Sequence, residues 1–102
     1  MYTKIVTVGT ADADLKTLLE TAGHVFPGDN DSCSGILIQI DPTLAEAEYV
    51  SVHSVGQTTG IRLRNGEGPH AMSFAEFRIR NVHLKASTAG VTVNVMIETA
   101  GA

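Results

Sequence analysis

The feature that most constrains the fold of this chain is a two-residue period in its hydrophobic pattern. The period is clearest near the end, where Val91, Val93, Val95 and Ile97 alternate with Thr, Asn and Met. Successive side chains of a β-strand point to opposite faces of a sheet, so this spacing predicts a strand with one buried face. Beyond this strand we expect residues 98–102 to form a flexible tail.

Similar segments recur along the chain at intervals of about ten residues and predict six or so short strands. Residues 36–40 are almost entirely apolar, and residues 60–64 alternate cleanly. The apolar phase changes from odd to even positions around Asn81, so a bulge or break is expected there. Phe74 and Phe77 are predicted to lie in the core.

One segment has a helical spacing instead. Leu15, Leu18, Leu19 and Ala22 recur every three or four residues, which predicts one short helix within residues 11–22.

The ends of this helix also have sequence markers. Thr10 or Asp12 could cap its N-terminus, and Gly23 is expected to end it. Residues 27–32 then have the composition of a loop. No second helical segment separates the later strands, so a parallel α/β sheet is not expected.

Length and composition complete the fold prediction. The chain has 102 residues, of which 43% are hydrophobic and 18% are charged, which favours one ordered domain over a disordered segment. We therefore predict a single mainly-β domain over residues 1–102. It should be a small antiparallel β-sandwich or jelly-roll-like barrel with one short N-terminal helix.

The charge distribution argues against nucleic acid as a direct partner. The net charge is −4, whereas a generic nucleic-acid binder is basic. Residues 1–60 carry two Lys and eight acidic residues, and residues 61–102 carry five Lys and Arg and three acidic residues. The resulting −6 and +2 suit copies of one chain that pack against each other or against a differently charged neighbour.

The chain shows no sign of secretion or of a membrane partner. Cys33 is its only cysteine, so an intrachain disulfide is excluded. Its first residues lack the basic and apolar regions of a signal peptide, and its longest apolar run is too short to span a membrane. We expect a soluble protein that is made in a reducing cytoplasm.

No spacing of potential ligands predicts a metal or another cofactor, and we expect neither. The histidines are His24, His53, His70 and His83, and none forms a local metal-binding motif. His53 and His83 fall on the polar faces of their predicted strands and could meet across a sheet as a shared ligand site. Polar faces or subunit contacts are the simpler roles for them.

No residue is predicted to be catalytic, and we expect no enzymatic activity. Cys33 precedes a buried strand and is best interpreted as a small core residue. Asp29 and Asp31 faintly resemble a calcium loop, but position 33 lacks the oxygen ligand that the motif needs. An ordinary polar loop explains them better.

The candidate functional residues are instead predicted protein contacts on the polar faces of strands. Arginines occur in two alternating pairs, each predicted to lie on one strand face, which could bind phosphate or carboxylate-bearing surfaces. Together with one tyrosine and one histidine, they form the predicted interface: Tyr49, Arg62, Arg64, Arg78, Arg80 and His83.

The order of several short motifs carries a family resemblance. Residues 33–42 read CSGILIQIDP, residues 58–63 read TTGIRL, and Gly66-Glu67 follows. Residues 81–87 read NVHLKAS, and the final strand begins VTVNV. This series resembles the small β-sandwich virion proteins of tailed bacteriophages.

The resemblance implies a structural role without catalytic residues. It implies a capsid decoration (cement) protein, or a head–tail, collar or baseplate accessory protein, located in the virion after synthesis in the bacterial host cytoplasm. The implied partners are other copies of the chain, as a homo-oligomer with a trimer favoured, and virion proteins such as the major capsid or tail proteins.

Two other classes remain open. A carbohydrate-binding β-sandwich could act in host adsorption, although five aromatic residues and no Trp offer few rings for sugar stacking. A small cupin-like metalloenzyme would be expected to carry two histidines close together on one strand, and this chain does not.

Overall fold

The protein folds into two antiparallel sheets with one helix at their side. The structure is a computed structural model that describes residues 2–40, 44, 45, 47–54, 60–64 and 70–99, with the side chains of all of these except 70–77 and 99. The strands within these residues are β1 (Tyr2–Val8), β2 (Ala13–Asp14), β3 (Ser32–Ile40), β4 (Tyr49–Ser54), β5 (Ile61–Arg64), β6 (His70–Arg78), β7 (Val82–Ala86) and β8 (Val91–Thr99). Helix α1 spans Leu15–Thr21, and two 3₁₀ turns span Pro27–Asp29 and Ile79–Asn81.

The strand order is that of a jelly roll. The larger sheet has the order β1-β8-β3-β6 and the smaller sheet has the order β2-β7-β4-β5. Each pairing is antiparallel, and consecutive strands change sheet at every step except β4 to β5. Two four-stranded sheets connected in this way form a double Greek key. The predicted class, a small β-sandwich or jelly roll with one short helix, is confirmed.

One hydrophobic core lies between the two sheets. The alternating residues of β8, Val91, Val93, Val95 and Ile97, are all buried in it. The smaller sheet contributes the buried side chains Val50, Val52, Leu63, Leu84 and Ala86, and α1 adds Leu15 and Leu19. The side chains of Phe74 and Phe77, which were predicted to join this core, lie outside the described residues.

Helix α1 is shorter than predicted because a strand occupies its expected first turn. Ala13 and Asp14 pair with Leu84 and His83 of β7, so the helix starts only at Leu15. The N-cap is Asp14, and neither Thr10 nor Asp12 has this role. The carboxylate of Asp14 accepts a hydrogen bond from the backbone N–H of Thr17 at 2.9 Å.

The helix ends at the predicted glycine. Gly23 has a φ of 96°, a left-handed conformation that favours glycine. Its N–H donates to the carbonyl of Glu20, and the N–H of His24 donates to the carbonyl of Leu19. These two bonds form a Schellman motif, which satisfies carbonyls that a helix end otherwise leaves open.

Two further predictions concern the break near Asn81 and the segment that begins at residue 98. The break expected around Asn81 is confirmed as the 3₁₀ turn Ile79–Asn81 between β6 and β7. In the segment expected to be a tail, Glu98 and Thr99 belong to β8 and pair with Gly35 and Cys33, because β3 extends far enough to receive them. Residues 100–102 lie outside the described residues. Among the described helices, none combines the length and apolar composition that a membrane span requires.

Candidate functional site

The outer surface of the smaller sheet gathers most of the candidate residues. In β4 and β7 the buried residues Val50, Val52 and Leu84 point into the core, so the alternate residues point outward. We call this outward surface the polar face, and it consists of Tyr49, Ser51, His53, Arg62, Arg64, His83 and Lys85, together with Asp12, which is bound to both histidines, and Gly60, which packs against His53.

Three predicted contact residues form a stack on the polar face. Tyr49 lies opposite Arg64 in the pairing of β4 with β5, and Arg62 lies one position further along the same face. The guanidinium carbon of Arg62 is 4.4 Å from the centre of the Tyr49 ring, and that of Arg64 is 5.3 Å from it. These distances are typical of cation–π contacts, so the three side chains hold one another in place.

A groove of about 590 Å³ runs beside this stack. Its lining is mostly polar and carries the two cations Arg62 and Lys85, together with Thr10, Tyr49, Ser51, Gly60, Ala86 and Ser87. The hydroxyl oxygen of Ser87 accepts a hydrogen bond from the backbone N–H of Tyr49 at 2.8 Å, which joins the two sides of the groove. Such a lining suits a polar or anionic ligand.

A second cluster on the polar face unites Asp12, His53 and His83. The two histidines lie directly opposite each other in the pairing of β4 with β7, and their ring centres are 5.8 Å apart. One carboxylate oxygen of Asp12 lies 2.6 Å from Nε2 of His53, and the other lies 2.9 Å from Nδ1 of His83. The single carboxylate therefore bridges both rings.

The electrostatics of this cluster follow from the two hydrogen bonds. Partial burial would raise the pKa of Asp12, but the hydrogen bonds from His83 and His53 lower it below its ordinary value. A carboxylate only accepts hydrogen bonds, so each ring presents an N–H to it. Nδ1 of His53 lies on the other side of its ring, where it is buried and has no hydrogen-bond partner among the residues that the structure describes.

The cluster differs from the cupin-like site considered for this chain. That site would have two histidines close together on one strand, whereas these two come from β4 and β7. The inner face of the smaller sheet is filled by apolar side chains where the structure describes it.

The remaining two predicted contact residues, Arg78 and Arg80, have a structural role instead. Arg78 ends β6 and Arg80 lies in the following 3₁₀ turn, so they do not share a strand face. Nε of Arg78 donates to one carboxylate oxygen of Asp31 at 2.7 Å. The backbone N–H and Nε of Arg80 each donate to the other oxygen at 2.9 Å.

Asp31 has a structural role that the sequence did not indicate, because its position in an apparent polar loop suggested an exposed side chain. Its side chain is fully buried. Burial would raise its pKa, but the bonds from Arg80 and Arg78 hold the pKa far below its usual range. Since both oxygens are bound to arginine, this carboxylate is not a free calcium ligand. The pairing spans 47 and 49 residues of sequence, so no local pattern indicated it.

The outer surface of the larger sheet has the opposite character. On β1, β3 and β8 the outward side chains are Thr3, Ile5, Thr7, Leu37, Gln39, Thr92, Asn94 and Met96, and none of these is charged. We call this surface the neutral face. Glu98 lies at one end of it. Ile5 is 63% exposed on the edge strand β1, opposite Asn94.

Comparisons with known proteins yield no relative for this chain. No protein-family model matches it, and no match was found among curated proteins or solved structures.

Proposed function

We propose that this protein is a non-enzymatic structural protein of a bacteriophage virion, and specifically a capsid decoration protein. It would oligomerise and stabilise the particle through protein–protein contacts. The motif resemblance supports this proposal, and jelly rolls occur in viral capsid domains. Because a fold by itself does not determine function, the proposal depends on the surfaces of the molecule.

The neutral face is the observation that carries the proposal. Burying a charged group without a partner is costly, so the uncharged outward residues described on β1, β3 and β8 can be covered at little cost in desolvation. The cores of protein interfaces are likewise depleted of charged residues. We assign this face to a second copy of the chain, since another neutral face complements it and the charged polar face does not.

The polar face provides a second surface for a different partner. Tyr and Arg are the residues most enriched among interface residues that dominate binding energy. The stack of Tyr49, Arg62 and Arg64 holds two guanidinium groups in place, and guanidinium binds carboxylates in a bidentate manner. We infer that this stack docks on acidic residues of the major capsid protein. His83, Arg78 and Arg80 are already bound to carboxylates of the chain itself.

The oligomeric state tests the role of the neutral face. Sedimentation equilibrium should give at least twice the 10.8 kDa mass of one chain: twice if two neutral faces pair only with each other, and three times in the trimer that the resemblance favours. Ile5→Lys places a charge on the neutral face and should shift the protein to monomers. Val25→Lys is the matched control, because Val25 is also exposed but lies on the loop after α1. A wild-type protein that remains monomeric at high concentration would overturn the proposal.

The location in the particle separates decoration from its closest alternative. A head–tail, collar or baseplate accessory protein would use similar surfaces. Immunogold electron microscopy of virions should label the whole capsid surface if the protein is a decoration protein. Label confined to the neck or tail would assign it to the accessory class instead.

The groove favours one further candidate, a carbohydrate-binding role in host adsorption. Its hydroxyl-bearing side chains and Tyr49 could bind a polar sugar. One face of the Tyr49 ring is already near Arg62, which leaves less of the ring for stacking. A glycan array should show wild-type binding that Tyr49→Ala abolishes, and an array without binding would remove this candidate.

A further inference from the structure

We propose that Asp12, His53 and His83 form a binding site for a transition-metal ion of the zinc class. The site is independent of the proposed structural function, because it uses neither the neutral face nor the arginine–tyrosine stack. It departs from the expectation of no metal, which set aside a shared site of His53 and His83 and did not include Asp12.

The three donor atoms are already close enough to share an ion. One potential ligand atom from each of the three residues lies within 4.8 Å of the other two. The nitrogens that face the carboxylate are Nε2 of His53 and Nδ1 of His83. Zinc bonds of about 2.0–2.1 Å in a tetrahedral site place the ligands roughly 3.3 Å apart. The two O–N distances of 2.6 and 2.9 Å must therefore open slightly when an ion binds.

The histidines are held in place and the carboxylate can adjust. The side chains of His53 and His83 are only 6% and 17% exposed, and they project from paired positions of neighbouring strands. Gly60 packs against His53 so closely that an added Cβ would lie 2.7 Å from the Cβ of His53. The side chain of Asp12 is 50% exposed, which gives an ion access and leaves a coordination position for water.

The donor set selects the class of metal. Two imidazole nitrogens and one carboxylate oxygen suit Zn²⁺, Co²⁺, Ni²⁺ and Cu²⁺. Mg²⁺ and Ca²⁺ prefer oxygen ligands only, so they are expected to bind poorly here.

Binding requires a movement of protons within the rings. The N–H groups that now donate to Asp12 must lose their protons so that the same nitrogens can bind the metal. In a neutral imidazole the proton moves to the other nitrogen, which for His53 is the buried Nδ1 without a partner. Since metal-binding histidines normally donate this second N–H, we expect an affinity about 10–100-fold weaker than that of a site with such a partner.

Titration calorimetry of chelator-treated protein with zinc chloride tests the site. We expect one ion per chain, and no detectable binding of magnesium chloride. His53→Gln and His83→Gln should each weaken zinc binding by about 100-fold or more, and Asp12→Asn by about tenfold or more. His24→Gln is the matched control, because His24 stacks on Tyr2 outside the cluster and its loss should leave zinc binding unchanged.

A measurement on the wild-type protein keeps the proposal testable if a variant fails to fold. Zinc binding should shift the ¹⁵N resonances of Nε2 of His53 and Nδ1 of His83 in imidazole NMR spectra, and the resonances of His24 should not change. The proposal is overturned if the wild type does not bind zinc at millimolar concentration. It is equally overturned if zinc binds without shifting those two resonances, or binds the folded His53 and His83 variants with unchanged affinity.

Discussion

At the scale of single residues, the fold depends on the buried carboxylate of Asp31, both oxygens of which accept hydrogen bonds. Asp31 has no exposed side-chain surface, yet it receives hydrogen bonds from two guanidinium groups and one backbone N–H. A buried charge is tolerated in proteins when it is paired and hydrogen-bonded in this way. Asp31 thereby fastens the segment before β3 to the turn between β6 and β7.

Replacing this carboxylate should destabilise the protein measurably. Asp31→Asn removes the charge that Arg78 and Arg80 share, and we expect a loss of about 2–3 kcal/mol in the free energy of unfolding. Asp29→Asn is the control, because Asp29 is exposed and its ion pairs with Lys16 and Arg80 lie at the surface. Its loss should have a much smaller effect in urea denaturation, because exposed ion pairs contribute little to stability. Equal losses for the two variants would contradict the role assigned to Asp31.

The same carboxylate predicts an acid limit to stability. The pKa of Asp31 in the folded state lies well below that of an unfolded aspartate, about 3.9. Its contribution is therefore complete above about pH 4 and is lost as the pH falls through the folded value. The stability difference between wild type and Asp31→Asn should shrink in urea titrations below about pH 4. A difference that is constant from pH 7 to pH 3 would contradict this assignment.

Cys33 should be inert in the folded protein. Burial, and to a lesser extent the nearby Asp31, raises the pKa of its thiol to about 12, so the reactive thiolate is scarce at pH 8. Labelling with a thiol reagent should be at least about a thousandfold slower than in denaturant, since it requires opening of the core. Rapid labelling of the folded protein at pH 8 would show that the thiol is accessible.

At the scale of elements, the N-terminus of α1 depends on its capping residue. Both carboxylate oxygens of Asp14 accept hydrogen bonds from Thr17, at 2.8 Å from the hydroxyl and 2.9 Å from the N–H. Asp14→Ala should lower the free energy of unfolding by about 1 kcal/mol, measured by urea denaturation. Asp14→Asn keeps a capping oxygen and should lose much less. Similar losses for both variants would contradict a capping role.

The elements themselves could largely be predicted from the sequence, but their pairing could not. The alternation at Val91–Ile97 and the phase change near Asn81 depend on neighbouring residues, so they are visible locally. Strand β2 has only two residues, and it forms because Ala13 and Asp14 pair with β7. No local pattern in the sequence indicates this pairing.

The candidate metal site shows the same limit. Alternation places His53 and His83 on outward faces, and the possibility that they meet across a sheet followed from that. Asp12 is separated from them by 41 and 71 residues, so only the sheet topology reveals that it lies between them. The structural role of Arg78 and Arg80 could not be predicted for the same reason, since Asp31 is 47 and 49 residues away from them in sequence.

At the scale of the whole molecule, one shared core should make the two sheets unfold together. The only tyrosines lie in different sheets, Tyr2 in β1 and Tyr49 in β4, and there is no tryptophan. The variants Tyr2→Phe and Tyr49→Phe each keep one fluorescent reporter. The midpoint of each variant from tyrosine fluorescence should coincide with its midpoint from circular dichroism. Different midpoints for one variant would show that the sheets unfold separately.

The position of β8 also determines when this protein can fold during its synthesis. In the larger sheet β8 lies between β1 and β3, although it is made after every other strand that the structure describes. On the ribosome, β1 therefore cannot pair with β8 until residues 91–99 have emerged from the exit tunnel. Until then its backbone hydrogen-bonding groups and the side chain of Ile5 remain uncovered. Because such distant pairing is slow, the larger sheet should form only after β8 has been made, and nascent chains would benefit from a chaperone during that interval.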